Sequence, residues 1–243
     1  MKCIILAAGY ATRLYPLTEN FPKPLLDVGG KTILDWLVDD IASADMVDEF
    51  IVVSNHKFIE HFNKWAAVCK HNIRVIDDGT TSNDNRLGAI KDMELAYNTT
   101  DKKSDCMVIA GDNVLDFSIT AFMHYFKEKN ASCVMRYYEP DKEKIKKSAS
   151  LIIDKTDIIL KMTEKPADPE SNWCCPPFYI YKAEDMARLP QALAEGCGTD
   201  APGSLVSWMC GKSDMYAFEM PGHRYDIGNI ESYERARFSY KGF

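Results

Sequence analysis

The chain has 243 residues, 46% hydrophobic and 27% charged, with a formal net charge of −7. That length accommodates one large α/β domain and buries enough surface to need no metal or disulfide staple. The acidic balance argues against a general nucleic-acid binder, which would carry a basic surplus. No window approaches the ~18–20 apolar residues of a membrane span, and Met1-Lys2-Cys3 leads into a strand-like run, not a signal peptide. The eight cysteines show no C-x-x-C spacing, and those at positions such as Cys3, Cys106 and Cys133 sit inside apolar runs. They read as small buried hydrophobes. The expectation is a reduced, cytoplasmic protein with no membrane or nucleic-acid partner.

In chain order, a short strand, Cys3-Ile4-Ile5-Leu6, runs into Ala7-Ala8-Gly9 and a loop that carries Pro16, Pro22, Pro24 and two cations, Arg13 and Lys23. A strand ending in small residues lets backbone N–H groups approach an anion, and fixed cations nearby favour phosphate. After Gly29-Gly30, Ile33, Trp36, Leu37 and Ile41 predict a helix beginning at Thr32. Phe50-Ile51-Val52-Val53 reads as a second strand, the spacing of Phe58, Phe62, Trp65, Ala66 and Cys69 as a helix, and Ile73-Arg74-Val75-Ile76 as a third strand. A polar loop follows, then Arg86-Leu87-Gly88-Ala89-Ile90 opens another helix. A fourth strand, Cys106-Met107-Val108-Ile109-Ala110, stops at Gly111-Asp112-Asn113.

Later strands are expected around 133–137, 150–153, 158–162, 178–181 and 215–218, with a hairpin turn at 154–157. Helices are expected near 183–194, 205–210 and 230–240. The alternation predicts a single domain over residues 1–243 of Rossmann-like, three-layer α/β/α architecture, with a mostly parallel, mixed central sheet. Ligands of such sheets sit beyond the carboxyl ends of the strands. The opening loop and Gly111-Asp112-Asn113 both occupy strand carboxyl ends, on the same edge.

Two familiar phosphate motifs fail. Gly30-Lys31-Thr32 imitates the end of a P-loop, but Leu25 stands where its first glycine is required. Gly9 belongs to no G-x-G-x-x-G, so the dinucleotide fingerprint is missing too.

The run Leu6-Ala7-Ala8-Gly9-x-x-Thr12-Arg13-Leu14-x-Pro16-Leu17-Thr18, followed by Pro22-Lys23-Pro24-Leu25-Leu26-x-Val28-x-Gly30-Lys31, resembles the signature of the sugar-phosphate nucleotidylyltransferases. The resemblance continues through Gly111-Asp112-Asn113, similar to that family's metal-binding aspartate segment. Glu164-Lys165-Pro166 with Ser171-Asn172 is similar to its acceptor-binding segment. Tyr225-Asp226-Ile227-Gly228-Asn229-x-Glu231-Ser232-Tyr233 is similar to the segment of its second metal-binding aspartate.

The resemblance implies an enzyme that transfers a nucleoside monophosphate from a triphosphate to a sugar 1-phosphate and releases pyrophosphate. Arg13 and Lys23 would be catalytic. Leu6, Ala7, Ala8, Gly9, Thr12, Arg13, Asn85, Leu87, Gly88 and Asp112 would bind the nucleotide. Lys23, Glu164, Lys165 and Asn172 would bind the acceptor. Asp112 and Asp226 would share Mg²⁺, a hard cation suited to one or two carboxylates plus phosphate oxygens. A homo-oligomer is compatible with the family.

The chain departs from the family pattern in two places. Asn83-Asp84-Asn85-Arg86-Leu87-Gly88-Ala89 replaces a glycine-rich or Gln-containing base-reading stretch. Cys174-Cys175-Pro176-Pro177-Phe178 replaces a run of small residues expected to line the acceptor pocket. An alternative acceptor is therefore a phosphorylated amino alcohol or polyol, with CTP as donor. A non-catalytic binding or regulatory subunit is the alternative of another class.

Overall fold

A computed structural model describes residues 1–225 and 227–242. The first elements are β1 (Lys2–Leu6), β2 (Asp27–Val28), β3 (Lys31–Thr32), α1 (Ile33–Ser43), β4 (Glu49–Ser54), α2 (Ile59–Val68), β5 (Ile73–Asp77), α3 (Ala89–Tyr97), β6 (Cys106–Ala110), β7 (Val114–Leu115) and α4 (Thr120–Lys129). They are followed by β8 (Ser132–Tyr138), α5 (Lys142–Ile145), β9 (Ala149–Ile153), β10 (Ile159–Glu164), β11 (Trp173–Cys175), β12 (Phe178–Tyr181), α6 (Ala183–Met186), α7 (Leu189–Ala194), α8 (Ser204–Met209), β13 (Met215–Glu219), β14 (Arg224–Tyr225) and α9 (Ile230–Ser239). None of the described helices is long and apolar enough to cross a membrane. The chain divides into two compact units, Met1–Leu87 with Ala110–Ala121 and Pro221–Phe243, and Gly88–Ile109 with Phe122–Met220.

In the first unit β1, β4 and β5 are parallel, with Ile4 opposite Ile51 and Val52 opposite Val75. Residues 3–5 and 50–53 are almost wholly buried, as expected of parallel strands covered on both faces. Helix α1 buries Ile33, Leu34, Leu37, Val38 and Ile41. Its start is set by a reciprocal cap, in which the Asp35 N–H donates to Thr32 Oγ1 at 3.0 Å and the Thr32 N–H to Asp35 Oδ2 at 3.1 Å. The false P-loop has its own explanation here. Val28 faces Lys31 across a two-residue turn in which Gly29 (φ 63°) and Gly30 (φ 87°) both take the left-handed conformations of a tight hairpin.

In the second unit the neighbours run β10-β9-β11-β8-β12-β6, all antiparallel, while β13, off this path, pairs with β8 in parallel. The parallel pattern is thus concentrated in the first unit. The turn between β9 and β10 is held by Asp154 Oδ1, which accepts from the N–H groups of Thr156 and Ile158 at 2.8 and 3.0 Å. Two local expectations need correcting. The helix expected over 183–194 is two helices, because Pro190 cannot donate within a helix interior and instead sits in the first turn of α7. Helix α4 was hidden by its mixed composition, although Phe122, Met123 and Phe126 form a buried face.

Candidate active site

The opening loop is shaped by buried side chains that bind its backbone. The Ala7 N–H donates to the Val53 carbonyl at 2.9 Å, so the ladder beyond β1 continues for one residue. Asn55, fully buried at the end of β4, donates from Nδ2 to the Ala8 carbonyl at 2.9 Å. Ala11 then adopts a left-handed conformation (φ 46°), and buried Thr18 donates to its carbonyl at 2.8 Å. A buried polar group without a partner is costly, so these bonds restrict the loop to one course. Short 3₁₀ turns at Thr12–Leu14 and Lys23–Leu25 carry Arg13 and Lys23.

The segment after β6 is anchored beside them. The Gly111 N–H donates to the Leu6 carbonyl at 2.9 Å. A Cβ on Gly111 would lie 2.9 Å from Ile5 Cγ2, so close packing against β1 explains the glycine. Asn113, buried, donates to the Ala110 carbonyl at 2.8 Å and accepts from Arg224 at 3.0 Å. Asp112 is thereby aimed at Lys23, whose ammonium donates to its Oδ2 at 2.8 Å.

The result is a cleft of ≈ 250 Å³ lined by Leu6, Ala7, Gly9, Arg13, Lys23 and Asp112, six residues picked out by sequence from three separate segments. Ala11, Leu14, Pro24, Ala110, Ile227 and Gly228 complete it. Lys23 is 11% exposed and Asp112 45%, so the ammonium is set in the wall while the carboxylate reaches the opening. Burial pushes the Asp112 carboxyl up, but the Lys23 charge and hydrogen bond, helped by Arg224, outweigh it and hold the group below its ordinary value. Arg13 is exposed, and among the described residues none pairs with its guanidinium. A Cβ on Gly9 would meet no protein atom within 4 Å, so packing does not demand this glycine. Its missing side chain keeps the cleft open.

Other sequence-selected residues occupy different surroundings. The Ala8 carbonyl is committed to Asn55. Thr12 begins a 3₁₀ turn on the surface. Asn85 Oδ1 accepts the N–H groups of Thr81 and Ser82 at 3.2 and 3.0 Å, a local turn cap. Leu87 is half-buried, and Gly88 (φ 91°) precedes α3. Asp226 lies outside the described residues.

In the second unit, Glu164 ends β10, and Lys165 follows with φ 45°, a left-handed conformation rare for a residue preceding proline. Burial pushes the Glu164 carboxyl up, opposed by the Lys165 charge and a hydrogen bond from the Gly203 N–H. Cys175 is buried, and burial together with the Glu164 charge drives its thiol well above the ordinary range. Asn172 Nδ2 is engaged with the Glu139 carbonyl at 2.8 Å. Cys174 and Cys175 lie in β11, which pairs with β8 and β9, and all eight cysteines are free thiols.

The nucleotidyl transferase family profile matches residues 2–241. The chain belongs to the nucleotidyl transferase family. It is 29% identical over 191 residues to a Sulfolobus acidocaldarius protein provisionally named mannose-1-phosphate guanyltransferase, an alignment covering 78% of this chain and 50% of that protein. The chain thus spans about half the length of this curated relative. Its fold is that of apo UDP-glucose pyrophosphorylase (TM-score 0.84, 18% identity, 98% of this chain and 97% of the other). UDP-glucose pyrophosphorylase complexed with UDP-glucose superposes with a TM-score of 0.81 at 20% identity, covering 98% and 97% of the two chains. These likenesses bear out the Rossmann-like α/β reading.

The site of this nucleotidyl transferase family member has features that sequence reasoning passed over. Arg224 and Asn113 form a support behind Asp112, and the only signal was their adjacency to two motif segments. Asn55 and Thr18 look like ordinary polar residues in sequence, and their role follows from burial alone.

Proposed function

We propose that residues 1–243 act as one sugar-phosphate nucleotidylyltransferase domain that joins a nucleoside triphosphate to a sugar 1-phosphate and releases pyrophosphate. The convergence of Arg13, Lys23 and Asp112 on a single cleft carries this reading. In the reaction an acceptor phosphate oxygen forms a bond to the α-phosphorus, and the bond from that phosphorus to the bridging oxygen of pyrophosphate breaks. The electron pair leaves with pyrophosphate. No general base is needed, because the attacking oxygen is already anionic.

Both reactants are anions, so positioning and charge neutralisation carry most of the catalysis. The Arg13 guanidinium, with its planar fork of donors, would clamp the triphosphate and stabilise charge on the departing pyrophosphate. Lys23 would exchange its contact with Asp112 for a phosphate oxygen and hold donor and acceptor in line. Loop backbone between Leu6 and Gly9 would run close to the nucleotide, and Leu87 and Gly88 would adjoin its base and ribose. Glu164 would accept hydrogen bonds from acceptor hydroxyl groups, with Lys165 near the acceptor phosphate.

The residues also fit Mg²⁺. Asp112 offers an ionised, half-exposed oxygen donor at the cleft, and a site with one or two carboxylates and phosphate oxygens suits this hard cation. Asp112, with Asp226, would hold it. Bound there, Mg²⁺ would supply positive charge to the triphosphate oxygens.

The test is a matrix of triphosphates against phosphorylated acceptors with Mg²⁺, monitored for pyrophosphate. Turnover is expected with at least one triphosphate and a sugar 1-phosphate. Turnover only with CTP and a phosphorylated amino alcohol or polyol would reassign the acceptor. A folded protein that binds nucleotide but turns over no pair would leave a binding subunit instead.

A further inference from the structure

Between α7 and α8, residues 199–203 touch two sequence motifs without belonging to either. Helix α3 starts at Gly88 with no side-chain cap, leaving its first N–H groups in need of acceptors. The Ile90 N–H donates to the Thr199 carbonyl at 3.0 Å and the Ala89 N–H approaches the Asp200 carbonyl at 3.5 Å. A Cβ on Gly88 would lie 2.6 Å from the Thr199 oxygen, so the segment lies directly against that turn. Four residues on, Gly203 lies directly against the Glu164 carboxylate. There a Cβ on Gly203 would lie 2.1 Å from Glu164 Oε1 and 2.2 Å from Met162 Cε.

We propose that residues 199–203 are a strap that holds the Gly88 turn and the Glu164 carboxylate in register, with Gly203 as its deciding positioning residue. This rests on the proposed acceptor role of Glu164 and nucleotide role of Gly88. The two glycines differ in why they are needed. Gly88 has φ 91° and faces backbone, so a side chain there strains the chain itself. Gly203 has φ −70° and ψ −11°, a helical conformation open to any residue. What it lacks is room, and both atoms in the way are ends of flexible side chains. Alanine at 203 is therefore compatible with the fold, but its methyl displaces the Glu164 carboxylate from its position against residue 203. The Gly203 requirement concerns where Glu164 points.

In a crystal structure of Gly203→Ala, the Glu164 carboxylate is expected to be displaced; an unmoved carboxylate overturns the strap whatever reaction the protein performs. In kinetics, acceptor KM is expected to rise about tenfold or more, with the triphosphate KM changed less than about twofold, since misplacement of order 1 Å can cost up to ~100-fold. Gly203→Ala combined with Glu164→Gln should be no worse than Glu164→Gln alone, and additive losses would overturn the proposal. Gly88→Ala should raise the KM of both substrates; a change confined to the triphosphate refutes the coupling. If Gly203→Ala alone folds poorly, Gly203→Ala/Glu164→Ala should regain stability because the clashing carboxylate is gone, and failure to regain it also refutes the strap. Absence of wild-type turnover with every acceptor would remove the functional reading, while the crystallographic arm would still decide the position of Glu164.

Discussion

The cleft of the first unit and the Glu164 corner of the second handle charge in opposite ways. In the cleft, Lys23 and Asp112 are paired at 2.8 Å, Arg13 is exposed, and Asp112 is held ionised. At Glu164 a carboxylate is half-buried, pushed toward its neutral form, and packed against Gly203 beside buried Cys175. In the proposed reading, the first arrangement would draw in a polyphosphate. The second suits hydrogen bonds to neutral hydroxyl groups, which discriminate more sharply because a mismatched buried polar group is left unpaired. In the proposed reading, affinity and selectivity would thus come from different parts of one chain.

Removing the exposed cation should break the first half of this comparison most severely. Arg13→Ala is expected to lower kcat/KM by about 10³-fold, in the range associated with arginines that stabilise phosphoryl-transfer charge. Arg13 is exposed and unpaired among the described residues, so the melting temperature should stay within about 1 °C, a surface change of this kind being nearly neutral. Steady-state kinetics with a parallel thermal melt checks both. A loss below tenfold would remove Arg13 from the reacting centre.

Glu164→Gln tests the second half, with a smaller effect on activity. Loss of the acceptor-side carboxylate should reduce acceptor kcat/KM by roughly 10- to 100-fold and leave triphosphate binding unchanged. Stability should move the other way. The folded-state pKa of Glu164 is raised, so its contribution is fully present below the unfolded pKa and is lost as pH rises through the folded value. At pH 7 the buried charge is therefore a cost, and the amide removes it. The variant should melt higher than wild type at pH 7, with the gap closing as the pH is lowered toward 4. A variant that melts lower at pH 7 would show that the carboxylate's bond to Gly203 outweighs its burial.

The two regions also differed in how far sequence revealed them. Leu6, Ala7, Gly9, Arg13 and Lys23 were identifiable because a strand end, small residues and cations follow one another over a short stretch. Asp112, 89 positions beyond Lys23, was identifiable through the family resemblance, and all six line the cleft. The β1-β4-β5 layer was readable for a related reason, since buried parallel strands are continuous apolar runs. The second unit was harder. There β11 is only three residues long, and α4 mixes buried aromatics with lysines. Gly203 has no sequence signature, because its importance lies in an atom that a Cβ there would meet at 2.1 Å, on a residue 39 positions earlier. The Gly29-Gly30 pair is the opposite case, a resemblance that the sequence already excluded through Leu25. It looks like part of a phosphate motif, and it is a hairpin turn.

That last contrast gives the smallest and most specific test, on two glycines of the same unit. A Cβ on Gly9 meets nothing within 4 Å, whereas one on Gly29 (φ 63°) would lie 2.5 Å from the Tyr240 backbone oxygen. Gly29→Ala should therefore destabilise the fold by about 1–3 kcal/mol through strain and backbone clash. Activity per folded molecule should be unchanged, because the hairpin lines no part of the cleft. Gly9→Ala should show the opposite signature. Its melting temperature should match wild type, but the added methyl intrudes on space the triphosphate would occupy, and nucleotide affinity should fall about tenfold. Melting curves and nucleotide titrations on both variants separate the outcomes. Equal nucleotide affinity in Gly9→Ala would mean that the triphosphate does not run along residues 6–9, and the nucleotide would have to be placed against another wall of the cleft.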